Sequence, residues 1–166
     1  MNTTKKFVIS SMLAALVCVA TMIIKIPSPL KGYVNLGDCI VLLSGWLLLP
    51  FYGFLAAGIG SALADIFSGY IAYAPATFVI KGLMAVTAYF VFRIIHKRAG
   101  SLISRILSGA VSEIVMVAGY FIFEGFLYGF VPSLVNIPAN AVQGVVGIII
   151  GTILIKIFEN NKIISQ

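Results

Sequence analysis

Four acidic side chains and one lysine sit inside or at the edge of long apolar runs: Asp38, Asp65, Glu113, Glu124 and Lys81. Groups of these types can hold a polar ligand, carry a proton or neutralise one another. An ionised group at the centre of a bilayer costs at least about 2.5 kcal/mol on insertion scales, so each is a functional-site candidate by default. Only Glu159, among the acidic residues, falls in what reads as an ordinary aqueous tail. Other polar residues recur around the five at helical spacing. Asn136, Asn140, Gln143 and Gly147 follow i, i+4, i+7, i+11, one face of one helix. Glu113, Tyr120 and Glu124 follow i, i+7, i+11, and Thr77 and Lys81 are i, i+4. These stripes, with Asn35, Asp38 and Asp65, predict one shared water-accessible pocket. Tyr33, Tyr70, Tyr73 and Tyr128 fall in loops, where they could stack on a planar ligand. The purely structural expectation is that Lys81 pairs with Glu124 or Asp65 and that Asn140 and Gln143 bond across helices. For Glu113 it is an ion pair with Arg105 or Lys97.

The elements that position these residues must be membrane helices. The chain of 166 residues is 61% hydrophobic and 10% charged, with a mean hydropathy of +1.12. Spanning a bilayer takes about 20 apolar residues, which leaves room for about six spans, short loops and no extramembrane catalytic domain. An open strand edge cannot exist in lipid, so every span should be helical. The runs are 7–26, 37–50, 53–71, 75–95, 106–128 and 137–157. Pro27 and Pro29 end the first, Pro50 with Gly53 turns the second into the third, and Gly69 to Pro75 separates the third from the fourth. Arg93 to Arg105 is the strongly polar loop, and Pro132 and Pro138 bracket the last turn. The second run is short, with an irregular start at Asn35–Asp38.

Lys5 and Lys6 before the apolar run from Phe7 resemble a signal peptide, but the run continues to Ile26, which favours a retained first span. With the N-terminus inside, Lys5, Lys6, Arg93, Lys97, Arg98, Arg105, Lys156 and Lys162 are cytoplasmic, and only Lys25 and Lys31 are outside. This bias predicts that both termini are cytoplasmic. It also explains the net charge of +6 better than nucleic-acid binding does. His96 lies in the basic loop and reads as a headgroup neighbour. In this orientation Lys81, Tyr120, Glu124, Asn140 and Gln143 all fall toward the outer leaflet. The whole chain reads as one transmembrane domain, 1–166, in the cell membrane.

Several features exclude chemistry by the chain itself. It has no GxxxxGK[ST] and no HExxH, and its one histidine cannot serve a Ser/His/Asp arrangement. Cys18 and Cys39 have neither redox nor metal spacing and read as small packing residues. No catalytic residue, metal or cofactor is expected. Small residues also form stripes: Ser10, Ala14 and Cys18 on one face of the first span, with Ser11 and Ala15 beside them. Gly53/Ala57, Gly60/Ala64 and Gly147/Gly151 repeat the spacing, which lets helices approach closely. The first stripe could instead be an outward docking face.

Gly32-Tyr-Val-Asn-Leu-Gly-Asp38, Leu49-Pro50-Phe-Tyr-Gly53, Ala57 to Asp65 and Tyr73-Ala-Pro-Ala-Thr-Phe-Val-Ile-Lys-Gly82 resemble the S components of energy-coupling factor (ECF) vitamin transporters, riboflavin-type branch. Asn140-x2-Gln143-x3-Gly147 fits as well. The resemblance implies an all-α bundle of about six transmembrane helices that binds a vitamin or related heterocycle near the outer surface, capped by the loop between spans one and two. It implies a substrate-binding subunit and not an enzyme. A transmembrane coupling protein and a pair of cytoplasmic ATPases would be its partners. Lys81, Asn140 and Gln143 occupy the places of pocket-lining residues in that family. Tyr120, Glu124, Asn35, Asp38, Asp65 and Tyr73 complete the expected substrate site. Docking on the coupling protein maps to Ala14 and Ala15, with Ser11 and Cys18 beside them. Riboflavin binders tend to carry a lysine where this chain has Gln143. A hydroxymethylpyrimidine, a pyridoxine-like ring or a deazapurine is therefore at least as plausible as riboflavin. The rivals are a solitary proton-coupled carrier using Glu113 or Glu124, and a small membrane enzyme.

Overall fold

A computed structural model describes residues 3–28 and 33–160. Helix α1 covers Thr3–Ile23, and two short strands, β1 (Lys25–Pro27) and β2 (Tyr33–Asn35), follow it. Then come α2 (Gly37–Leu47), α3 (Pro50–Phe67), α4 (Ala74–Tyr128), the four-residue α5 (Phe130–Ser133), a 3-10 turn (Leu134–Asn136) and α6 (Ile137–Asn160). Four of the described helices, α1, α3, α4 and the helical stretch 130–159, are long and apolar enough to cross a membrane. Their outer faces carry large apolar side chains such as Ile23, Ile114, Phe126 and Val131, as lipid contact requires. The protein is an integral membrane protein.

Helix boundaries follow local chemistry. Pro50 starts α3 at its first turn, where its missing N–H costs nothing, and holds Leu49 before it extended (ψ 153°). At 55 residues, about 80 Å, α4 is far longer than a bilayer core of about 30 Å. Gly100 divides it, with φ 71° and ψ 173° in a region that glycine reaches without strain. The arms, 74–99 and 101–128, are separate helices. The expected loop from Arg93 to Arg105 is therefore helical on both sides of one glycine. Its basic residues are compatible with a helix and no proline interrupts them. Phe92 and His96, one turn apart, stack with centroids 4.9 Å apart.

A second difference lies between the first two spans, where β1 and β2 pair antiparallel, Lys25 with Asn35 and Pro27 with Tyr33. Pro29, Lys31 and Gly32, between the strands, and Lys162, near the C-terminus, lie outside the described residues. The remaining runs shift by a few residues: the second ends at Leu47 and the third covers Pro50–Phe67.

Helix α2 is the centre of the bundle. Every residue from Gly37 to Trp46 is buried, and α2 packs on α1, α3, α4 and α6. Lipid offers little hydrophobic drive for association, so close fit must hold the helices together. The α3–α4 seam shows the fit. A side chain at Gly58 would strike Phe78, one at Gly82 would strike Phe54, and the two phenyl rings meet edge to face at 5.3 Å. Trp46 of α2 donates its Nε1–H to Ser108 Oγ at 3.0 Å, which ties α2 to the second arm of α4.

Candidate functional site

The polar residues converge at one end of the bundle. A cavity of about 40 Å³ is lined by Tyr33 and Asn35 of β2, Asp65 at the end of α3, and Tyr70 and Tyr73 from the following turn. Thr77, Tyr120 and Glu124 of α4, Asn140 and Gln143 of α6, and Ser28 complete the wall. The volume holds about three waters. Small-molecule pockets usually begin near 300 Å³, so the cavity as it stands is too small for a ring-sized ligand. Among the expected site residues, Asn35, Asp65, Tyr73, Tyr120, Glu124, Asn140 and Gln143 reach this cavity.

Lys81 and Asp38 sit behind the wall and pair with each other. Both are essentially removed from solvent, at 3% and 0% exposure. The anticipated partners of Lys81, Glu124 and Asp65, are thus not the ones it takes. Asp38 reaches it because α2 starts at Gly37, directly after the hairpin, and carries its first-turn carboxylate into the bundle. Gln143 Nε2 donates to Asp38 Oδ2 at 2.6 Å, and the Asn35 backbone N–H donates to Gln143 Oε1 at 2.8 Å. Asn35 Oδ1 in turn accepts from the Gly37 N–H at 2.8 Å. One amide thus joins the hairpin, the central helix and α6. The Lys81 ammonium also lies 5.6 Å from the Tyr120 ring centre, so its charge is felt through the wall.

The cap is aromatic. Tyr33 and Tyr70 rings are 4.9 Å apart, Tyr70 and Tyr73 6.3 Å, and Tyr73 and Phe123 5.2 Å. Tyr33 donates its hydroxyl to Asp65 Oδ1 at 2.7 Å, pinning the hairpin to α3. Burial, and then the adjacent Asp65 carboxylate, push the Tyr33 phenol well above its ordinary pKa, so it remains a donor. Thr77 and Tyr120 share a hydrogen bond of 3.1 Å. Glu124 Oε1 accepts from Asn136 Nδ2 at 2.9 Å and from the Tyr73 hydroxyl at 3.4 Å. Asn136 therefore serves the site through Glu124, although it shares the helical stripe of Asn140 and Gln143. Tyr33 and Tyr70 were visible in the sequence as loop tyrosines. Ser28 had no signal, because a lone serine after a proline looks like any turn.

Glu113 and Glu159 depart from expectation. Glu113 does not pair with Arg105 or Lys97. It is buried, both carboxylate oxygens lack a hydrogen-bond partner, and it packs where Gly144 and Gly147 leave room. Arg105 instead binds Glu159 with both guanidinium NH groups, Nη1 to Oε2 at 3.1 Å. Glu159 therefore anchors the far end of α6 to α4 and is not a free tail residue.

A second concavity, about 580 Å³, lies between α1 and α3. Ser10, Ser11, Ala14, Ala15 and Cys18 form one wall, and Leu55, Ala56, Ile59 and Leu63 form the other. Ser11 and Ala15 are exposed. The Ala14 carbonyl rests on Gly60, so that edge of the stripe packs internally. Among the described residues no cluster of His, Cys, Asp and Glu could hold a metal ion.

Comparison with known proteins gives a consistent picture. The family model described as "ECF-type riboflavin transporter, S component" matches residues 1–160. An uncharacterised protein of Pyrococcus woesei is 40% identical over 137 residues, 81% of this chain and 88% of that one. A solved S component of a bacterial ECF transporter shares 25% identity and superposes with a TM-score of 0.74, covering 96% of this chain and 98% of that one. The S component for biotin of an ECF-type ABC transporter has the same fold at 21% identity, with a TM-score of 0.57 over 94% and 95% of the two chains.

Proposed function

The chain belongs to the S components of ECF transporters, membrane subunits that bind substrate and are not enzymes, and from that membership we propose that it captures a water-soluble vitamin or related small heterocycle at its polar cavity. The observation that carries this reading is the convergence of amide, phenol and carboxylate groups from β2, α3, α4 and α6 on one cavity. Candidate ligands are a hydroxymethylpyrimidine, a pyridoxine-like ring, riboflavin or a deazapurine. The ligand would part the Tyr33–Tyr70 cap, occupy the cavity and be released to the cytoplasm. Asn35, Asp65, Tyr73, Tyr120, Glu124, Asn140 and Gln143 would touch it. Lys81 and Asp38 would hold the wall in place from behind.

The break at Gly100 and the excess of basic residues at one end support about six crossings in a single domain with both termini cytoplasmic. Energy would come from a transmembrane coupling protein and paired cytoplasmic ATPases. The stripe on α1, with Ser11 and Ala15 exposed and Ala14 and Cys18 half-buried beside them, would dock on the coupling protein. The test is direct. The purified chain should carry a copurifying heterocycle detectable by mass spectrometry, and accumulation in proteoliposomes should require the added partners. Accumulation by this chain alone would refute the reading. Uptake that collapses with the proton gradient would favour the rival proton-coupled carrier, for which the partnerless Glu113 is the natural proton site.

A further inference from the structure

We propose that the cavity is selective for heterocycles that bring positive charge and N–H donors, an amine- or amidine-bearing ring bound as a cation, and that it rejects anionic or purely carbonyl-bearing rings. This rests on the reading that the cavity is the ligand site, and it narrows the ligand class.

The argument is one of unmet hydrogen bonds and charge. Two carboxylates line the cavity, and each is half satisfied. Asp65 Oδ1 is held by the Tyr33 hydroxyl, while Oδ2 has no partner. Glu124 Oε1 is held by Asn136 and Tyr73, while Oε2 has no partner. Both residues are more than nine-tenths buried, at 6% and 3% exposure. A buried acceptor without a donor is costly, most of all when it is charged, and a donor supplied by a ligand removes that cost. No basic residue lines the cavity among the described residues. The Lys81 charge is met by Asp38 behind the wall, and Lys25, which is exposed, is tied to Ser68 Oγ at 2.9 Å. A carboxylate- or phosphate-bearing ligand would find two acids in the wall, with the Lys81 charge behind Tyr120 already paired with Asp38. A cationic ring would find both acids and the rings of Tyr70 and Tyr73, whose π systems attract positive charge, while Tyr33 and Tyr120 already have the Lys25 and Lys81 ammonium groups 5.8 and 5.6 Å from their centres. Against these two acids stands one neutral amide, Asn140, because Gln143 already spans Asn35 and Asp38.

The experiment is isothermal titration on the purified full chain in lipid nanodiscs with two matched pairs. One is 4-amino-5-hydroxymethyl-2-methylpyrimidine against its 4-oxo counterpart. The other is pyridoxamine against pyridoxine. Riboflavin serves as the carbonyl-rich ring. In whichever pair binds, the amine member should be tighter by about 100-fold or more, the discrimination expected when a buried polar partner is left unmet. Asp65→Asn and Glu124→Gln, singly and combined in a double variant, keep size and hydrogen bonding and should each weaken the amine by about 10-fold or more beyond any loss for the oxo or hydroxyl analogue. An unchanged thermal melt separates this loss from misfolding. Equal or reversed preference within a pair, tighter binding of riboflavin, wild-type amine affinity in the double variant, or binding of neither amine would each overturn the proposal. Copurification of the same preparation with the coupling protein and ATPases tests the proposed partner association separately, and a ligand that binds the chain but is unaffected by both variants would place the ligand site away from this cavity.

Discussion

Two concavities among the described residues differ in opposite directions. The cavity under the hairpin measures about 40 Å³ and is lined by acids, amides and phenols. The groove between α1 and α3 measures about 580 Å³ and is lined mainly by alanine, serine and aliphatic side chains. Size alone would choose the groove. Chemistry chooses the cavity, because a small polar ligand needs directed partners, whereas a groove of small side chains offers close approach to another helix. The cavity also rests on buried charge that the fold needs, while the groove rests on nothing but packing. Substitutions should therefore separate the two regions by what they cost.

The largest effect is expected at Lys81. Lys81→Met leaves Asp38 charged and unpaired in the centre of the bundle, which should cost about 3–5 kcal/mol of stability. Adding Asp38→Asn should recover most of it, because an amide needs no counter-charge. Thermal unfolding in detergent reads both. A single variant as stable as wild type would mean that the pair is dispensable.

Gln143→Ala comes next. It strips the partner from the Asn35 N–H and from Asp38 Oδ2, worth roughly 1–3 kcal/mol. Ligand affinity should fall by about 10- to 100-fold as the hairpin loses its tie to α6. Unaltered affinity would detach the hairpin from the site.

Glu159→Gln should cost about 1 kcal/mol or less, since Glu159 is 40% exposed and water screens the pair with Arg105. A loss as large as that at Lys81 would show that the far end is as tightly held as the cavity.

The smallest effect on the isolated chain is expected in the groove. Ala15→Trp points into open space and should leave stability within about 0.5 kcal/mol and ligand affinity unchanged. Uptake with the partner subunits should nevertheless fail, because a bulky side chain blocks close helix approach. Normal transport by Ala15→Trp would place the docking face elsewhere, and lost ligand binding would make the stripe internal packing.

How far the sequence could be read depended on the range of the interaction. Pattern placed Asn140 and Gln143 on one wall, since a helical stripe is local. The same pattern placed Asn136 with them, yet Asn136 turns to Glu124. The helical turns flanking Gly100 were hidden because basic side chains read as a loop when only hydropathy is followed. The β1–β2 pairing was hidden because its strands have three residues each.

The membrane setting, the apolar runs and the identity of the unusual polar residues were settled by the linear order of side chains. The reason is that lipid imposes its cost segment by segment. Which charges meet was decided only in three dimensions. Lys81 and Asp38 are 43 residues apart and Arg105 and Glu159 are 54 apart. Each pairing depends on how one helix is rotated against another, and that rotation is fixed by fit. Glycines at Gly58 and Gly82 admit Phe78 and Phe54, and Gly144 and Gly147 make the space that Glu113 fills. No window along the chain contains both sides of such a contact, so the partners could be enumerated from the sequence but were chosen by packing.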